Sequence, residues 1–241
     1  MQAVILAAGG GKRLKPVTDR VAKPMLPVGG RPIIGQIIEA VAGCGIREFI
    51  VVVGHLGHQI REYLGNGGKW GVAIEYVEQE EPLGSAHALK KAERNIGGRI
   101  MVSAADALFA PSHYRDLLAE FRKGRDGVIS LKRLPPEEMI HSSTVALGEG
   151  NRILKVIEKP ARDEILSELA AGPVYVFRDV KPYLRDLKVS PRGEYEIPDL
   201  IQAMIDDGLD VRGVEAGTWA HLTTVEDLRR FNSGFSLSRF L

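Results

Sequence analysis

The chain predicts an α/β fold, a mostly parallel sheet doubly wound by helices, and three observations carry that expectation. Short β-branched runs alternate with amphipathic stretches through the first half of its 241 residues. The first run, Ala3-Val4-Ile5-Leu6, ends in Gly9, Gly10 and Gly11, a loop suited to the carboxyl edge of a parallel strand. A hydrophobic share of 44% and a charged share of 26% belong to a globular protein with ample core.

In chain order, the β-branched runs predict strands over 4–6, 49–53, 74–77, 100–103 and 128–131. Apolar residues at helical spacing predict helices between them, over 32–42, 58–64, 85–95 and 112–121. Such alternation builds a parallel sheet with helices on both faces. The second half is less regular, with strands expected over 144–147, 153–158 and 174–177 and helices over 180–187 and 197–207. Residues 211–214 are expected to rejoin the sheet. Pro135-Pro136 marks the expected seam between two halves around one cleft.

A formal charge of +1 gives no electrostatic support for nucleic-acid binding. Cys44, the single cysteine, forbids an internal disulfide and fits a reducing compartment. No stretch reads as a signal peptide or a membrane span, so a cytoplasmic location without membrane partners is expected.

The segment from Ala7 to Pro27 is the most informative. Three glycines let backbone N–H groups approach one anion, and Lys12, Arg13, Lys15 and Lys23 follow with no carboxylate before Asp19. A polyphosphate cradle is the functional reading, and a solvated turn the bland one. The dinucleotide pattern fails at Leu14, and the P-loop pattern fails at Leu6 and Arg13. Gly9, Gly11, Arg13, Leu14 and Pro16, then Lys23-Pro24, instead resemble the G-x-G-T-R-L-x-P and K-P signature of sugar nucleotidyltransferases. Lys12 stands where that family usually has threonine.

That resemblance implies a Rossmann-like sheet with an inserted sugar-binding subregion, within one domain over 1–241. It divides into a nucleotide-binding half (1–135), a sugar-phosphate-binding half (136–223) and a carboxy-terminal helix and tail (224–241). Residues 79–85, QEEPLGS, resemble the family's base-binding Q-x-x-x-x-G-T/S. The amide of Gln79 carries a donor and an acceptor, the pair that reads the N3–H and O4 edge of uracil or thymine. Gly84 permits close approach, and Ser85 is placed to cap the next helix. With Leu6, Ala8, Gly9, Gly10 and Gly11, these form the expected nucleotide site. Read alone, Gln79 is a surface loop residue.

Asp106, just past a strand, matches the metal-binding aspartate of the family's G-D-x-x-F, with Ala105 where glycine is usual. Its alternative role is a turn or helix cap. Glu158-Lys159-Pro160, Ala171-Gly172 and the segment from Gly193 to Asp199 resemble the sugar-phosphate motifs. They imply Glu158, Lys159, Gly172 and Glu194 as ligands of the sugar phosphate. The family's second metal-binding aspartate, in W-x-D-x-G-T-P-E-D-L, is replaced by His221. Imidazole suits Mn²⁺ or Zn²⁺ better than Mg²⁺, so either an altered metal preference or impaired catalysis follows.

The resemblance implies transfer of a nucleotidyl group from UTP or dTTP to a sugar 1-phosphate, glucose 1-phosphate first. Arg13, Lys23 and Lys159 are the expected catalytic cations, and Asp106 with His221 the ligands of Mg²⁺ or another divalent ion. Ala105 and His221 motivate a second reading, a nucleotide-sugar-binding regulator with impaired turnover. With the chain ending at Leu241, no carboxy-terminal β-helix is expected. Phe231, Phe235, Leu237, Phe240 and Leu241 either pack back on the domain or form a homo-oligomer contact.

Overall fold

The computed structural model describes residues 1–217 and 219–233. From the amino end, β1 (Gln2–Ala7) leads through the hairpin of β2 (Pro27–Val28) and β3 (Arg31–Pro32) to α1 (Ile33–Ala42). Next come β4 (Glu48–Val53), α2 (Gly57–Leu64), β5 (Ala73–Glu78), α3 (Ser85–Lys91) and β6 (Ile100–Ala104). They are followed by β7 (Ala107–Phe109), α4 (Pro111–Phe121), β8 (Gly127–Arg133), α5 (Pro136–Met139), β9 (Ser143–Leu147) and β10 (Ile153–Glu158). The chain continues through β11 (Leu169–Phe177), α6 (Lys181–Arg185), α7 (Ile197–Asp206), β12 (Val211–Glu215), β13 (Trp219–His221) and α8 (Val225–Asn232).

Seven strands form the central sheet in the order β12-β8-β11-β6-β1-β4-β5. All its pairs are parallel except those of β11, which runs antiparallel to both β6 and β8. Side chains of a strand alternate between faces, and the central strands are apolar on both. Ala3, Ile5 and Ala7 of β1 join one core with α1, α2 and α4, while Val4 joins the other with α3 and α7. The sheet is therefore doubly wound, as expected. From β1 the chain moves to β4 and β5 on one side, then returns to β6 on the other. Strand order thus reverses between β1 and β6, and a crevice opens there at their carboxyl ends.

Residues 211–214 rejoin the sheet, as β12 beside β8. The helix expected over 85–95 ends at Lys91, because Glu93 and Asn95 bond back three residues rather than four. The helix expected over 180–187 is confined to Lys181–Arg185. Pro136 opens α5 at its first turn, a position where its missing N–H has no helical partner to lose. Two short antiparallel pairs, β9 with β10 and β7 with β13, lie outside the central sheet. Among the described residues no helix is long and apolar enough to cross a membrane. Phe231 is buried in the core, whereas Phe235, Leu237, Phe240 and Leu241 lie outside the described residues.

Leu14 ties the glycine loop to this framework, its side chain fully buried in the core shared with α1 and β1. Leu14→Ala is expected to lower unfolding free energy by about 2–4 kcal/mol, the range for truncating a buried leucine. Urea denaturation followed by circular dichroism measures it.

Candidate active site

A cavity of about 280 Å³ occupies the crevice beyond β1 and β6, walled by Leu6, Ala8, Gly9, Gly11, Lys23, Gln79, Gly84, Ser85 and Asp106. The loop after β1 divides its glycines by task. Gly11 has φ +62°, and a Cβ there would lie 2.7 Å from Cγ2 of Thr18. Its carbonyl accepts from Thr18 Oγ1 at 2.9 Å and from Leu14 N at 2.8 Å, which closes the loop on itself. Gly9 and Gly10 face open space, with nothing within 4 Å of an added Cβ. Gly11 holds the turn, then, while its neighbours leave room for a ligand. Arg13, in the short 3₁₀ turn that follows, is exposed and outside the wall of the cavity.

Asp106 is the electrostatic centre. Lys23 Nζ donates to Asp106 Oδ2 at 2.5 Å, and His221 Nε2 lies 3.5 Å from the same oxygen. Long-range pairing brings the imidazole there, because β13 aligns His221 with Ala107 of β7 and Leu222 N donates to the Asp106 carbonyl at 2.9 Å. Burial acts to raise the pKa of Asp106, but the charges of Lys23 and His221 outweigh it and hold the carboxyl well below its usual range. No group of three or more His, Cys, Asp or Glu side chains gathers as a metal site among the described residues. One carboxylate and one imidazole would suit a divalent ion that takes its other ligands from a phosphate chain, the imidazole favouring Mn²⁺ or Zn²⁺ over Mg²⁺.

At the other wall, Gln79 is buried and its Nε2 donates to Gly84 O at 3.2 Å and to His87 Nδ1 at 2.9 Å. Gly84 has φ +115°, and a Cβ there would sit 2.2 Å from the Tyr195 carbonyl. Ser85 does not cap its own helix. Its Oγ accepts instead from Ile197 N at 3.1 Å, capping α7. Tyr195 N donates to Leu83 O at 2.8 Å and Ala86 N to Tyr195 O at 2.9 Å, so the loop after Gln79 is strapped to the segment carrying Glu194 and Glu196.

That segment reaches the second cluster. Lys159 has φ +46°, a strained conformation for a residue with a Cβ, and such strain concentrates at functional sites. Its Nζ lies 3.1 Å from Glu196 Oε1 and 3.6 Å from Glu194 Oε2. Arg192 also pairs with Glu196, which is buried. Burial, reinforced by the charge of Glu196, pushes the Glu158 carboxyl up to about 8 against the pull of Lys159 and Arg192. Gly172 lies at the register break of β11, where a Cβ would approach Ser130 Oγ to 2.7 Å. Its glycine is required by sheet packing.

Residues 2–236 match the nucleotidyl transferase family, and the chain belongs to it. It is 32% identical over 234 residues to a glucose-1-phosphate thymidylyltransferase of Streptomyces antibioticus, covering 96% of this chain and 65% of that protein. It is 33% identical to the bifunctional protein GlmU of Methanococcus maripaludis, covering 98% of this chain and 54% of that one. The chain thus spans between half and two thirds of these relatives. A crystal structure of a putative glucose-1-phosphate thymidylyltransferase from Bacillus anthracis, in complex with sucrose, superposes with a TM-score of 0.86 at 28% identity. The match covers 100% of this chain and 96% of that one.

Three residues beside the site escape a reading of the sequence. His87 orients Gln79, Glu196 anchors Lys159, and Lys132 lies buried beneath Trp219, 4.5 Å from its ring centroid. Burial lowers the pKa of Lys132, and the charges of Asp106, Glu138 and Glu158 act against that fall, so carboxylates of both clusters lie within its electrostatic reach. Only the chain's glutamate-rich segment near Glu196 offered any hint.

Gly84→Ala is expected to destabilise the fold by at least about 2 kcal/mol, since both its φ and a backbone carbonyl oppose a methyl group. Thermal unfolding reads the loss directly. For Glu158, the raised pKa favours the folded state while the carboxyl is neutral. That contribution is complete below about 4.5 and is lost as pH rises through about 8. Stability should therefore fall less steeply across this interval in Glu158→Gln than in wild type, measured by denaturation at a series of pH values.

Proposed function

We propose that the chain transfers a nucleotidyl group from UTP or dTTP to a sugar 1-phosphate, glucose 1-phosphate in the first instance. A phosphate oxygen of the sugar attacks the α-phosphorus, and the bond to the β-phosphate oxygen breaks, releasing pyrophosphate. The observation that carries this reading is that Lys23 is paired with Asp106 and Lys159 with Glu196, while Lys132 and Tyr175 lie within electrostatic reach of both Asp106 and Glu158.

Such a displacement needs no protein nucleophile. Positioning and neutralisation of charge supply the rate. Gly9 and Gly10 leave space for the triphosphate, and Gln79 faces the base. Lys23 is placed to draw charge from the α-phosphoryl group, and Arg13 from the outer phosphates. Lys159 is placed to hold the attacking phosphate, with Glu158 and Glu194 beside the sugar hydroxyls. A divalent ion carried by the triphosphate would be held by Asp106 with His221 and would neutralise phosphate charge.

A second reading, a nucleotide-sugar-binding regulator with impaired turnover, is motivated by the imidazole of His221 beside Asp106. Pyrophosphate release decides between them, with UTP or dTTP paired with glucose 1-phosphate or N-acetylglucosamine 1-phosphate, in Mg²⁺ and in Mn²⁺. Turnover with any pair supports the enzyme, and tight binding without turnover the regulator. In an active protein Lys23→Ala is expected to lower kcat by on the order of a hundredfold. A near-normal rate would remove Lys23 from the proposed mechanism.

A further inference from the structure

Gln79 has an amide whose two ends are chemically opposite, and the structure fixes which end faces the cavity. The carbonyl of Gly84 can only accept, so the group 3.2 Å from it is the nitrogen, Nε2. The second N–H of that nitrogen points to His87 Nδ1 at 2.9 Å. Nδ1 must then accept, which puts the ring proton of His87 on Nε2. Burial and the neighbouring Lys91 favour this neutral ring, and stacking on Tyr195, with centroids 6.0 Å apart, holds its plane. Both N–H groups of Gln79 are therefore spent on the protein. Its Oε1 accepts no hydrogen bond among the described residues and is not sealed from the cavity that Gln79 lines.

We propose that His87 is a positioning residue for base selection, turning Gln79 so that only an acceptor meets the nucleobase. This rests on the nucleotide reading above and differs from the expectation that the amide supplies a donor and an acceptor together. Uracil and thymine present N3–H to such an oxygen, and guanine presents N1–H. Cytosine N3 and adenine N1 present lone pairs instead, so two acceptors would face each other. An acceptor left unpaired on burial is costly, which makes this arrangement selective. The conformation of Gly84 belongs to the same device, because it sets the direction of the carbonyl that anchors Nε2.

Calorimetric titration of the full chain in Mg²⁺ tests the assignment with UTP, N3-methyl-UTP and CTP. Wild type is expected to bind UTP at least roughly tenfold more tightly than either of the others. In His87→Leu, which offers no acceptor, the UTP-to-CTP ratio is expected to fall by roughly tenfold. His87→Gln retains an oxygen able to accept the same N–H and is expected to keep the ratio. Equal binding of UTP and N3-methyl-UTP by wild type would overturn the proposal, as would an unchanged ratio in His87→Leu. So would equal loss in the Gln and Leu variants, which would mark His87 as packing alone. If the Leu variant does not fold, the wild-type comparison of UTP with N3-methyl-UTP decides for or against the proposal. Failure of the His87 assignment leaves UTP binding intact, whereas a wild type that binds none of the three overturns the nucleotide reading as well.

Discussion

Two polyanions meet in the reaction proposed for this chain, and their mutual repulsion is the constraint to which the site answers. Like unit charges about 4 Å apart repel by about 4 kcal/mol near a protein surface. The chain opposes this with cations already placed before a ligand enters. Lys23 is held by Asp106, and Lys159 by Glu196 and Glu194. Each carboxylate fixes a flexible ammonium that would otherwise lose side-chain entropy on binding phosphate. Lys132 lies buried beneath Trp219 without an ion pair among the described residues, and burial lowers its pKa against the charges of Asp106, Glu138 and Glu158. An anion meeting Lys23 and Lys159 would therefore find two ammonium groups already ordered.

Order of this kind depends on backbone connections between distant segments. Residues 79–87 carry the Gln79 amide that lines the cavity, and 192–197 carry the carboxylates that hold Lys159. Tyr195 joins them through two main-chain hydrogen bonds, and Ser85 adds a cap on α7. No room remains at Gly84 for even a methyl group between the two. A shift in one segment must move the other, so the Gln79 and Lys159 ends of the site are mechanically linked.

Much of the sheet was legible because its central strands are uninterrupted apolar runs, which parallel strands buried on both faces require. The glycine loop was legible for a different reason, since Gly9 to Gly11 break a strand abruptly and cations follow. The β7 and β13 pair was not. Three residues carry no measurable period, and the partners are more than a hundred positions apart. Helix ends failed at α3, where bonding switches to tighter turns that composition does not announce, and at α6, which stops at Arg185. His87, Glu196 and Lys132 were missed because burial and partners define them, and neither can be read from residue type. His87 in particular looks like any polar residue on a helix until Gln79 is brought beside it.

His221, where the resemblance implies an aspartate, changes the expected charge balance more than the geometry. Strand pairing still delivers the residue to Asp106 Oδ2, so the frame survives while one anion is removed. The charges of Lys23 and His221 face the single carboxylate of Asp106, which weakens attraction for a bare cation and strengthens attraction for a phosphate chain. In the reaction proposed, a divalent ion would enter bound to the triphosphate, as part of a net anion, rather than alone.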